Sequence, residues 1–422
     1  MQVPDQTKSP LSPAFATVTT LFFMWGFVTA TIDPLVPGVR SVFSLSYAES
    51  MLTQFAFFLA YGVISLPAAL VLEKLGYAKT ILVSLGAMIA GCLLMPLATH
   101  ANSYWVVLGA LFVIAAGITQ LQVAANPLAA RLGKPEGSHF RLTLSQTFNS
   151  LGTVLAPIIG SYVILRGGVF AGAASAAARD VTLRNVDTQF LAIAAVIALL
   201  IIFIWSMRGL LRVPHELDDA NASPLAAFGS RWALLGALAI FLYVGAEVSI
   251  SSIMINFLHQ KQIMNADFDT AGRLLGLFYW GGAMVGRALG SAVLTRVPAS
   301  RVLAFAACAA LLLCLVVTQA GTVGEIAGFA ALGVGFFNSI MFPTIFTLTL
   351  DRSTAPTAAT SGLLCMAIVG GAILPVIVGV TADHAGLAAA FFVPAISYIY
   401  IAVFAWRGRD RAARVSTTDA LA

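Results

Sequence analysis

Long apolar stretches recur from one end of this 422-residue chain to the other, and no other feature constrains its fold as much. Residues 14–32 carry no charged side chain, and comparable runs follow down to residue 406. A helix needs ~20 mainly apolar residues to cross a bilayer. That window predicts twelve crossings, at about 14–38, 50–72, 78–99, 104–130, 142–165, 189–208, 232–258, 271–294, 300–320, 324–350, 357–381 and 386–406. Apolarity is continuous within each, whereas a membrane barrel strand alternates at period two, so helices are expected. Composition agrees. Hydrophobic residues make up 59% and charged residues 10%, against about 25% charge in soluble chains. Mean hydropathy is +0.92. The expected fold class is an all-α polytopic membrane protein.

Lysine and arginine in the loops set the orientation. With the N-terminus inside, sixteen of the 23 basic residues fall on the inner side and six on the outer, leaving Arg287 within a span. Both termini are therefore expected in the cytoplasm, with the chain in the inner (plasma) membrane. This placement accounts for the pI of 9.1 without nucleic acid as a partner. The opening "MQVPDQTKSP" lacks a basic region followed by a short apolar core, so no cleaved leader is expected. Cys92, Cys308, Cys314 and Cys365 all lie in apolar stretches without ligand-like spacing, which argues against a disulfide framework or a zinc site. The polar break at 209–231 carries both charge signs and falls midway. It reads as a cytoplasmic linker between an N-terminal six-helix half, 1–208, and a C-terminal one, 232–422.

The second half repeats the first. Gly117 and Pro127 are ten residues apart, as are Gly333 and Pro343, 216 positions later. Gly152 and Pro157 match Gly370 and Pro375 at an offset of 218, and Lys74 and Lys79 match Arg296 and Arg301 at 222. Six helices per half give the two repeats the same orientation. Transporters built this way place their substrate near the bilayer midplane, where the halves rock around it.

Of eighteen acidic residues, Asp33 and Glu247 fall clearly within spans, 214 apart and so at corresponding positions of the repeat. A charge at the bilayer centre costs ~2.5–3.5 kcal/mol on insertion scales and usually faces a cavity or a partner. Either acid is read as a buried carboxyl packed or paired with Arg287, or as a cation-coupling group. Proton and sodium both remain open as the coupling ion. Arg287, in "FYWGGAMVGRALGS", is read either as an ion-pair or snorkelling residue or as a gating one. Carboxamides form a second set. Gln122 and Asn126 are four apart in one span, and Gln146 and Asn149 three apart in the next, so each pair shares a helix face. Amides both donate and accept, which suits an uncharged, hydroxyl-rich ligand such as a sugar, although they also join helices. Asn338 matches Gln122 by the repeat. Trp25, Phe58, Tyr61, Tyr243, Tyr279 and Trp280 offer flat faces to a pyranose ring. No P-loop, HExxH or nucleophile elbow occurs, so neither ATP-driven transport nor an intramembrane enzyme is expected, and no metal or organic cofactor.

"QLQVAANPLAARLG" followed by "RLTLSQTFNSLGTVLAPIIG" resembles the signature of the fucose–proton symporter family of the major facilitator superfamily. "LSYAESMLTQFAFFLAYGVISLPAA", "YVGAEVSI", "FFNSIMFPTIFTL" and "MAIVGGAILPVIVGV" extend the resemblance over nearly all of residues 15–405. It implies two six-helix halves related by a parallel repeat, and sugar symport by alternating access. The family's essential first-helix aspartate falls on Asp33, and its cavity asparagine on Asn149. Fucose permease has a glutamate where this chain has Gln122. This chain instead carries Glu247 in "YVGAE", similar to the glucose/galactose branch. The departure counts against fucose and removes one of fucose permease's two proton-linked acids. "LEKLGYAKT" loosely resembles the superfamily's gating loop, with Glu73, Lys74 and Lys79 as its charges. The expectation is therefore a monomeric symporter in contact with lipid. Its cargo would be glucose, galactose or a related hexose, and its coupling ion a proton. A sodium-coupled carrier, an N-acetylglucosamine or fucose carrier, and a drug exporter of the same fold are the alternatives. A transport-incompetent sugar sensor is a further rival, but only about sixteen residues follow the last span, too few for an output domain.

Overall fold

The computed structural model describes residues 13–132, 138–171, 175–211, 224–294, 296–355 and 357–408; most of the expected linker lies outside them. Every regular element among the described residues is helical. The first half of the chain runs through α1 (Pro13–Ala30), α2 (Ile32–Phe43), α3 (Tyr47–Ser50), α4 (Leu52–His100), α5 (Tyr104–Arg131), α6 (Ser138–Ile164) and α7 (Ala176–Met207). The second runs through α8 (Arg231–His259), α9 (Phe268–Leu274), a π-helical turn (Leu275–Trp280), α10 (Gly281–Leu294), α11 (Ala299–Thr318), α12 (Ala320–Val323), α13 (Glu325–Asn338) and α14 (Met341–Leu350). It ends in α15 (Thr357–Met366), α16 (Gly370–Ala385), α17 (Leu387–Ala390) and α18 (Phe392–Arg407).

Ten stretches among the described residues are long and apolar enough to cross a membrane. The two further expected crossings are present as helix in a different form. The 50–72 crossing is the first leg of α4, which turns into its second leg through Gly76 at φ 71°, a left-handed backbone that glycine adopts without a steric penalty. The 271–294 crossing is divided by the π turn between α9 and α10. Leucines, isoleucines and phenylalanines such as Leu199, Ile202, Phe305 and Ile396 stay exposed on the outward faces, as lipid contact requires.

Prolines explain two of the breaks. Pro34 has no N–H for the Ala30 carbonyl, and the first span divides there into α1 and α2. Pro343 likewise leaves the Ser339 carbonyl without a helical donor, and α13 gives way to α14 at that point. One helix is longer than its apolar run. α7 starts at Ala176, not near 189, because Ser175 caps it by accepting from the Ala178 N–H and an alanine-rich turn follows.

The chain forms two compact units. Unit 1 comprises residues 1–45, 56–218 and 268–276, and unit 2 comprises 46–55, 219–267 and 277–422. Each unit thus takes a short segment from the other half of the sequence. In unit 1, α1 and α6 pack backbone to backbone. A methyl group at Gly152 would strike the Phe23 carbonyl and the Phe27 nitrogen, so only glycine admits this approach. Arg166 holds α9 to this unit, donating Nε and Nη2 to Asp269 Oδ2 at 3.0 and 2.8 Å. The Asp269 carboxylate raises the Arg166 guanidinium above its usual pKa. In unit 2, α8 is buried from Tyr243 to Leu258 except at Glu247, which is half-buried. Asp383 accepts from the Tyr47 and Ala48 N–H groups at 2.7 and 2.8 Å and so fixes the start of α3.

Candidate functional site

Asp33 sits in the first turn of α2, 3% exposed, where the partial positive charge of a helix N-terminus favours a carboxylate. The break forced by Pro34 is what creates that N-terminus in mid-span. On the neighbouring α6, Asn149 donates Nδ2 to the Phe22 carbonyl at 3.1 Å, across the close contact with α1. Trp25 is buried one turn away from Phe22, with the two ring centroids 4.1 Å apart. Gln122 of α5 donates Nε2 to the Tyr61 hydroxyl at 2.8 Å, and Tyr61 stacks on Phe58. Gln122, Asn126, Gln146 and Asn149 are all half-buried, neither sealed in nor fully solvated.

Unit 1 keeps unmet hydrogen-bonding capacity. Asn126 Oδ1 and Gln120 Nε2 are buried without a partner among the described residues. Such atoms cost about 1–3 kcal/mol each when left unpaired. Gln120 escapes the sequence reading because it lies two residues from Gln122, on a different helix face.

Unit 2 builds a closed polar cluster around Asn338, which is fully buried at the end of α13. Its Nδ2 donates to the Tyr279 hydroxyl at 3.2 Å, and its Oδ1 accepts from the Tyr398 hydroxyl at 2.8 Å. Tyr279 in turn donates to the Glu247 carbonyl at 3.0 Å. The Tyr243 hydroxyl has one proton and two acceptors in reach, Glu247 Oε1 at 2.7 Å and the Asn338 carbonyl at 3.1 Å. Arg287 acts electrostatically on Glu247 and approaches the Ser339 carbonyl, the one freed by Pro343, with Nε 3.4 Å away. Gly335 permits the assembly, since a side chain there would collide with the Tyr279 carbonyl. Trp280 lies half-buried on the π turn, its ring edge-on to Tyr279 at 5.1 Å.

The structure thus brings Glu247, Asn338 and Arg287 together with Tyr243 and Tyr279, and adds Tyr398, which the sequence reading did not single out. It also places Gln54 in unit 2, 2% exposed and donating to Ser252 Oγ at 2.8 Å, and leaves Asn256 Nδ2 buried without a partner among the described residues. The serine run "SISSIMIN" was the available signal. Lys74 and Lys79 are exposed near the kink of α4, and the side chain of Glu73 lies outside the described residues.

Comparison with known proteins places these observations. A glucose/galactose transporter of Brucella abortus biovar 1 (strain 9-941) is 43% identical over 405 residues, covering 94% of this chain and 95% of that one. An L-fucose-proton symporter of Escherichia coli (strain K12) is 31% identical over 416 residues, covering 95% and 94%. The crystal structure of the transporter FucP in its outward conformation matches with a TM-score of 0.70 at 28% identity, covering 95% of this chain and all of that one. The family model for the Major Facilitator Superfamily matches residues 18–364. With its all-helical, multi-pass architecture and a carboxylate embedded in each unit, the chain belongs to the Major Facilitator Superfamily.

Proposed function

We propose that this chain is a proton-coupled symporter that imports glucose, galactose or a related hexose across the inner membrane by alternating access, with both termini in the cytoplasm. Asp33 and Glu247 couple the cation. Gln122, Asn126, Gln146 and Asn149 bind sugar hydroxyls, with Trp25, Tyr61 and Trp280 supplying ring faces. Asn338 acts from the centre of the tyrosine cluster. The observation that carries this reading is Asn126 Oδ1, buried without a partner among the described residues on the helix face it shares with Gln122, together with the half-buried amides of Gln146 and Asn149 on the next helix. A hydroxyl of a polyhydroxylated, uncharged ligand both donates to such an acceptor and accepts from the neighbouring amides. The glucose/galactose name of the 43% identical relative supports the same class.

Ion and sugar together favour one conformation, because a ligand moves an equilibrium only through its differential affinity for the two states. Neutralising a buried carboxylate by proton uptake lowers the cost of enclosing it, so the loaded carrier reorients and the charged, empty one does not. Arg287, Glu73, Lys74 and Lys79 serve as gating charges. The test is uptake into proteoliposomes from a panel of labelled monosaccharides, with pH and sodium gradients imposed separately. Concentrative hexose uptake driven by the pH gradient alone is expected. Accumulation under sodium alone overturns the proton, and dye efflux without sugar uptake overturns the importer.

A further inference from the structure

We propose that a cavity at the ends of α2, α4 and α7 in unit 1 binds the headgroup of a zwitterionic phospholipid, a phosphate ester carrying a primary ammonium. The cavity measures about 1020 Å³ and is separate from the carboxamides of the proposed sugar site. Its charged wall is the first part of α7, with Arg179, Asp180, Arg184 and Asp187; Thr99 and His100 face them from α4. Two positive and two negative side chains line one space, yet among the described residues no ion pair joins them. Asp180 and Arg184 stand four residues apart on a helix, the spacing at which such pairs ordinarily meet. Asp187 accepts from Thr99 Oγ1 at 2.7 Å, and Arg179 donates to Asn102 Oδ1 while its buried Nε has no partner among the described residues. Charges of both signs are therefore presented to the cavity, not to each other.

A ligand that matches this wall is neutral overall and carries both signs. The planar guanidinium forks of Arg179 and Arg184 suit the oxygens of a phosphate ester. The carboxylates of Asp180 and Asp187 suit an ammonium. A sugar needs neither charge.

Helical spacing identifies the source as a lipid. On α4, His100, Leu97 and Leu93 follow one another on one face, and both leucines are bare, 58% and 53% exposed. On α7, Asp180, Arg184, Asp187 and Leu191 form a second stripe that ends in an exposed leucine. Both walls thus pass from polar side chains at the helix end, charged ones on α7, to apolar surface deeper in the span, the sequence of surfaces that a headgroup and its acyl chains require. Trp105, exposed at the start of α5 beside Tyr104, marks the interfacial level where aromatic rings concentrate.

The experiment is native mass spectrometry of the purified full chain after exchange into equimolar phosphatidylethanolamine and phosphatidylglycerol. One phosphatidylethanolamine per chain is expected to survive, at about tenfold preference, with an about tenfold loss in Arg184→Gln/Asp187→Asn, the scale of charge-assisted contacts. Should that pair not fold, Leu93→Ser/Leu97→Ser, on exposed positions, is expected to release the lipid while hexose uptake persists. Equal retention of the two lipids overturns the proposal, as does unchanged retention in the variants. Displacement by an equal concentration of soluble glycerophosphoethanolamine overturns the lipid source.

Discussion

Two polar neighbourhoods, one around Asn338 in unit 2 and one around Asn126 in unit 1, carry similar side chains in opposite conditions. Around Asn338 every amide atom is engaged, and Tyr243, Tyr279 and Tyr398 converge on it. Around Asn126 the amides are half-buried and part of their capacity is unmet. Buried polar groups that are satisfied add to stability, and those that are not subtract from it. A transporter has reason to hold both. On the proposed reading, a ligand supplies the bond that Asn126 lacks, and the satisfied cluster holds Glu247 in a defined place through Tyr243.

The sharpest test of this division removes charge from unit 1. Asp33→Asn is expected to reduce pH-driven accumulation by at least about 100-fold while hexose exchange continues, since the coupling step is lost and the sugar wall is not. Full concentrative uptake by this variant removes Asp33 from the mechanism. Glu247→Gln keeps an acceptor for Tyr243 at nearly the same shape. It is expected to lower accumulation with little change in thermal midpoint, which separates coupling from packing.

A second test pits affinity against stability. Asn126→Ala deletes a buried acceptor that has no partner among the described residues. Its KM for sugar is expected to rise about tenfold, corresponding to about 1.4 kcal/mol, with the thermal midpoint unchanged or raised. Asn338→Ala is expected to do the reverse in emphasis. It strands the Tyr398 hydroxyl and takes from Tyr279 the donor it accepts from, while Tyr279 keeps its bond to the Glu247 carbonyl, at a cost of about 1–3 kcal/mol for the unmet buried group, read as a lower denaturation midpoint in detergent. If Asn126→Ala destabilises as strongly as Asn338→Ala, the contrast between the units fails.

What the sequence reveals follows from how local the physical cause is. The spans are legible because apolarity must persist for ~20 residues. Asp33 and Glu247 are legible because a charge stands out in such a run. The first half of α7 is not, since "RDVTLRN" has the polarity of a loop and becomes helix through the Ser175 cap. The Asn338 cluster is only half legible. Its amide is visible in "FFNS", but its partners lie 59, 60 and 95 residues away, and only packing unites them. The π turn has no local signature. Gly276 and Gly335 are visible as glycines, yet the approach they permit is a property of the assembled helices.

The smallest expected effect comes from a matched pair of hydroxyl deletions. Tyr398→Phe removes one donor from Asn338 Oδ1 and keeps the ring, so a loss of about 1 kcal/mol is expected, seen as a modest fall in midpoint with KM nearly constant. Tyr61→Phe removes the acceptor for Gln122 Nε2, but that amide is half-buried and can turn to water or sugar. Its stability loss is expected to be smaller and its shift in KM larger. Each variant deletes a single oxygen from a buried tyrosine. Any difference between them therefore reports whether the surrounding wall is sealed or open, which is the distinction drawn between the two units.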